Sequence, residues 1–183
     1  MNRLLGIIRD RPYVVTVTGS LIAALHFIAM TIGRGPTSPL LTVASDAGSG
    51  ALLVASYVGL AATAAVAAGF AGVVIVFGLS GQTPVFLRFR TKSGERMRAN
   101  WISIISSAFA AAGLGLLAAV LQIASAYALG IALFELGVFL FVHSAGRTVW
   151  VLLILIKVVQ VDDGRQLREE NTISSSSLFG STH

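Results

Sequence analysis

Apolar residues along this chain gather into four long stretches, at 13–33, 51–79, 100–122 and 126–159, separated by links rich in Gly, Ser, Pro and Arg. A helix rises about 1.5 Å per residue, so about 20 apolar residues cross a hydrocarbon core about 30 Å thick. Each stretch reaches that length, and nothing else in the sequence is long enough to build a water-soluble core. The pattern predicts an all-α membrane protein: a four-transmembrane-helix bundle over residues 1–161, then a polar tail. The first stretch outruns the apolar part of a secretion signal, roughly 7–15 residues, and no small-residue cleavage site follows closely. It reads as a retained first span.

The links punctuate this pattern. Gly33-Arg34-Gly35-Pro36 stops the first helix, and residues 35–50, rich in Gly, Ser, Thr and Pro, read as an irregular loop. Gly78, Gly81 and Pro84 end the second span. A very short turn near Gln122–Ala126 makes spans 3 and 4 an antiparallel hairpin. Span 4 would run about 51 Å as one helix, more than the core needs. It either tilts and projects, or breaks at His143-Ser144-Ala145-Gly146, where a Gly beside a Ser favours a kink. Beyond Val161, Asp162, Asp163, Glu169 and Glu170 give way to Ser174–Ser177, so residues 162–183 read as a disordered tail.

Charge adds orientation. Arg3, Arg9 and Arg11 precede span 1, and Arg88, Arg90, Lys92, Arg96 and Arg98 fill the link between spans 2 and 3. The link after span 1 has only Arg34, and the turn after span 3 has no basic residue. The positive-inside rule then puts both termini and the 80–100 link in the cytoplasm. Within that link, Phe86 and Phe89 alternate with Arg88 and Arg90, which suits a segment at anionic headgroups. A basic loop serving orientation alone is the simpler reading. The net charge of +5 is thus accounted for at membrane boundaries, and no basic soluble surface remains for nucleic acid. With 11% charged residues and no cysteine, the chain suits lipid and offers no thiol chemistry or cysteine-held metal.

Small residues recur every fourth position in two spans. Span 2 carries Ala55, Gly59, Thr63, Ala67 and Ala71, with a second row at Ala61, Ala65 and Gly69; span 3 carries Ser103, Ser107, Ala111, Gly115 and Ala119. Such rows let backbones approach closely where lipid supplies no hydrophobic drive. At least one row should pack the bundle internally. Span 2, small on several faces, has room for a second helix from another subunit, which points to a homo-oligomer.

The costly residues sit in span 4: Glu135, His143 and Arg147, with Lys157 near enough to the end to snorkel. An ionisable group in a span costs roughly 2.5–3.5 kcal/mol on the insertion scale, so these are functional candidates. At 100° per residue the three lie within about 120° of one another. Glu135 and Arg147 are about 18 Å apart along the axis, so they cannot pair, and a partner must come from elsewhere. Counting from the helix ends puts His26 and His143 about 21 and 22 Å from one boundary, at a shared level.

Three readings follow. The histidines are hydrogen-bonded packing groups; or Glu135, His143, Arg147 and His26 line a polar, ion- or proton-conducting path; or His26 and His143 ligate a haem as an electron carrier. Enzyme chemistry is not expected, because no nucleophile, metal-spaced or phosphate-cradling constellation is present. A further alternative is a non-conducting adaptor or sensor that anchors a cytoplasmic protein partner through the basic link and the tail. The outline, small with four spans and short links, is similar to membrane effectors and sensors of bacterial antiviral systems and to small phage-encoded membrane proteins. That resemblance implies a multi-pass protein of the bacterial cytoplasmic membrane.

Overall fold

The computed structural model describes residues 12–32 and 39–170, and they are all-helical. Five helices follow in order: α1 Pro12–Ile32, α2 Pro39–Ser45, α3 Ala47–Ser80, α4 Pro84–Ile123 and α5 Tyr127–Glu170. Three of them, α3, α4 and α5, are long and apolar enough to cross a membrane, while the apolar part of α1, Thr16–Ile32, is shorter. Only 28% of the most apolar window of α3, 39% of that of α4 and 28% of that of α5 is buried inside the protein. The rest turns Val66, Phe70, Phe109, Leu116 and Val142 outward. Apolar surface on this scale is at odds with water and fits lipid.

Local chemistry sets the helix ends. Asp46, in extended backbone, caps α3: its Oδ2 accepts from the Ser49 backbone N–H at 2.9 Å and the Ser49 hydroxyl at 2.8 Å. Those bonds, the hydroxyl's first, hold the Asp46 carboxyl below the ordinary carboxylate range. Pro84 opens α4 at a position where its missing N–H costs nothing. At the α4–α5 turn, Ala126 N–H donates to Leu121 O (2.9 Å) and Ser125 N–H to Gln122 O (3.2 Å), a Schellman closure. Ser125 supplies the left-handed residue with φ 61°, a conformation that usually goes to glycine.

Three expectations change here. The segment at 35–50 is not irregular throughout: α2 lies within it, pinned by the Gln122 side-chain amide donating to Ala44 O at 2.8 Å. The 80–100 link is not a loop, since α4 starts at Pro84 and runs unbroken into the apolar span. Arg, Lys, Glu and Met are good helix formers, so a basic link costs the helix little. Finally, α5 continues through His143–Gly146 without a break, which leaves the projecting alternative, and it ends only at Glu170. The tail from residue 171 lies outside the described residues.

The bundle is α3, α4 and α5, with α4 in extensive contact with both neighbours. A Cβ added to Gly115 would meet Tyr57 O at 2.8 Å and Ala61 N at 3.1 Å, so the α3–α4 approach needs glycine there. Ala64 of α3 and Ala108, Ala111 and Ala118 of α4 are fully buried, with Ala111 O and Ala118 O lying toward Gly137 and Gly130 of α5. The span-3 row of Ser107, Ala111, Gly115 and Ala119 is therefore internal packing. Most of the span-2 row is not: Ala55, Gly59 and Thr63 are exposed and Ala67 half-buried, and of the row only Ala71 faces inward, with Leu53, Tyr57, Ala61, Ala64 and Ala68. Buried apolar groups form three clusters along the bundle, around Tyr57 and Ile131, around Ala111 and Leu140, and around Trp101 and Leu155.

By contrast, α1 docks chiefly on α5. Gly19 lies directly against the Phe139 ring, and Ala23 is buried one turn further along.

Candidate polar seam of α5

Continuing along α1 from Gly19 and Ala23, the same face reaches His26, whose partner is Glu135. His26 Nδ1 and Glu135 Oε2 are 2.6 Å apart, with the side chains 37% and 30% exposed. This corrects the shared level expected for the two histidines. His143 lies two turns beyond Glu135 on α5, about 12 Å along the axis, so the imidazoles do not face each other as two axial ligands must. The arithmetic from helix ends failed because α5 does not end with its apolar stretch at 159 but runs on to Glu170.

On the bundle side of Glu135 stands Tyr57 of α3. It is 0% exposed, its ring is tilted against Phe134 with centroids 4.8 Å apart, and its hydroxyl has no hydrogen-bond partner among the described residues. Tyr57 lies within electrostatic reach of Glu135. Sequence reasoning missed it, although an aromatic hydroxyl in an otherwise Ala/Gly-rich helix was a readable signal.

Arg147 is anchored to α4. Its Nη2 donates to Asn100 Oδ1 at 2.9 Å and its Nη1 to Ser103 Oγ at 3.4 Å. The partner that Arg147 needs from elsewhere is thus α4, and Asn100, next to the buried Trp101, is a second residue missed. Between the two anchors, His143 is half-buried with its Nε2 enclosed and unpartnered among the described residues. Ser144, fully buried, donates to Ile104 O at 2.8 Å, and Thr148 donates to Ser144 O at 2.9 Å.

Placed on a helical wheel, Glu135, His143 and Arg147 turn progressively by about 120°, from the α1 seam to the α4 seam. They form a spiral with different partners at its two ends. Of the basic residues, Arg88 and Arg98 are exposed on α4, with Arg90, Lys92 and Arg96 in the same helix, and Lys157 is exposed on α5. No group of three or more His, Asp or Glu side chains among the described residues could hold a metal ion. Compared with known proteins, the chain matches no family model, no curated protein and no solved structure.

Proposed function

We propose that the chain spans the membrane four times with both termini cytoplasmic, assembles as a homo-oligomer, and uses the polar spiral of α5 to line a path for ions or protons. One observation carries this reading. A histidine and a carboxylate meet at 2.6 Å on a seam between apolar helices, and both remain about a third exposed. Packing alone would favour burying such a pair or replacing it with apolar groups, because ionisable residues in a span are costly. The basic residues at the start of α4 support the orientation, and the uncovered small residues Ala55, Gly59 and Thr63 of α3 support a neighbouring copy.

The test is ion and proton flux through purified protein in liposomes. Glu135→Gln and Arg147→Gln are expected to change it, and flux unaltered by both removes the path.

A second reading is a non-conducting adaptor. It is favoured by the helical continuation of α4 back to Pro84 and of α5 on to Glu170, which presents Arg88, Arg98 and Glu169 on exposed surface beyond the apolar spans. Deletion of residues 162–183, which removes Glu169, separates the two: it abolishes an adaptor's function and leaves a path conducting.

A further inference from the structure

We infer that His26, Glu135 and Tyr57 form a proton-binding site, in which the His26–Glu135 pair carries one exchangeable proton and the Tyr57 hydroxyl holds the carboxylate once that proton leaves. The inference rests on the membrane reading above and names the species bound; it does not require conduction.

Geometry supplies the first argument. At 2.6 Å the proton between Nδ1 and Oε2 can sit on either atom without movement of the heavy atoms. When the pair holds two protons it is uncharged overall, either as imidazolium and carboxylate or as neutral imidazole and carboxylic acid. Losing the proton on His26 Nε2 to water leaves Nδ1–H donating to an anionic Glu135. The short hydrogen bond therefore survives both states, and only the charge changes. Both side chains remain about a third exposed, so a water that reaches this seam can take and return that proton.

The second argument comes from the other side of the carboxyl. A fully buried hydroxyl with no acceptor is uncommon and costly. Among the described residues Tyr57 is in that position, and its ring packs on Phe134, the residue before Glu135. Among the described residues, the groups around Glu135 leave it no charged competitor. From α1 comes His26, and from α3 Tyr57. Gly130 and Gly137 of α5 sit against Ala111–Gln122 of α4, where no residue is ionisable. On α5 the nearest titratable groups are Tyr127 and His143, each two turns away. Tyr57 is thus the donor the core offers a deprotonated Glu135, directly or through one water.

The donor set also selects the ligand. One carboxylate, one imidazole and one phenol are too few oxygens for a hard cation such as calcium or magnesium, which takes about six, and no group of three His, Asp or Glu side chains among the described residues could hold another metal. A proton needs only one acceptor.

Reaction with dicyclohexylcarbodiimide tests this, because it modifies protonated carboxyls in apolar surroundings. The protein in liposomes is treated across a pH series, and the adduct is located by mass spectrometry. The expected result is an adduct at Glu135 that declines as pH rises and is indifferent to sodium at fixed pH. Tyr57→Phe, which removes the donor, raises labelling at neutral pH several-fold, and Glu135→Gln abolishes it. Three results would overturn the inference: no adduct at Glu135 at any pH, protection by sodium, or a Tyr57→Phe profile identical to wild type. If Tyr57→Phe does not fold, fluorotyrosine incorporation makes the hydroxyl a stronger donor and lowers neutral labelling; an unchanged profile again overturns the site. Labelling without flux retires the path and keeps the site, and flux without labelling does the reverse.

Discussion

The α3–α4 seam and the α1–α5 seam solve the same problem in different ways. Along α3–α4, glycine and alanine bring backbones together, and Gly115 leaves no room for even a Cβ. The neighbouring α4–α5 seam adds polar bonds, from Ser144 to Ile104 O and from Arg147 to Asn100 and Ser103. Along α1–α5, Gly19 and Ala23 give one stretch of close approach, and the next contact is a titratable pair, partly open. Packing of the first kind cannot respond to its surroundings, since dispersion and backbone hydrogen bonds do not depend on pH. A histidine–carboxylate contact does. Stability is concentrated in the three-helix part, and chemistry at the edge where one helix is held by little else.

That division can be broken from the strong side. Gly115→Val puts side-chain atoms where Tyr57 O and Ala61 N already stand, so it should destabilise the bundle by about 3 kcal/mol, at the upper end of overpacking effects. Thermal unfolding in detergent measures it, and a midpoint within a degree or two of wild type would mean that the helices part without cost. The weak side is sharpened by cross-linking, for which the absence of native cysteine gives a clean background. Gly19→Cys with Phe139→Cys replaces a ring contact by two neighbouring thiols, and oxidation should join α1 to α5. Adding His26→Ala should lower the cross-linking rate a few-fold, in line with about 1 kcal/mol for a polar contact between membrane helices. The thermal midpoint of the uncross-linked bundle should barely move. Equal losses in both measurements would show that the seams are not separate.

The smallest effect belongs to the cap outside both seams. Asp46 has a depressed carboxyl, so its contribution is present above the ordinary carboxylate range and is lost as pH falls through the folded value. Asp46→Ala should lower the thermal midpoint slightly at neutral pH and leave it unchanged in strong acid. A difference that persists in acid would point to backbone preference instead of charge.

Much of this could be read from residues alone. The apolar runs, the turn at Gln122–Ala126 and the packing row through Ser107, Ala111 and Gly115 follow from length and spacing. The inward face of α3 did not, because a helix small on every side offers no size contrast to choose between Gly59 and Ala61. Helix from Pro84 to Arg98 was obscured by reading Arg and Lys for orientation alone, when both also favour helix. Pro39 before Leu-Leu was a start signal for α2 that a Gly/Ser-rich context hid. Glu135 was legible as costly, but its partner was not. Which residue of α1 lies opposite depends on how far each helix overshoots, and composition does not measure that.

His26 and Glu135 are 109 residues apart in the chain. At the usual pace of synthesis, about 5–20 residues per second, the first waits roughly 5–20 s for the second to leave the ribosome. The order suits the wait. An imidazole can sit in a nascent helix uncharged above its ordinary titration range, and the acid then emerges to find its acceptor already in place.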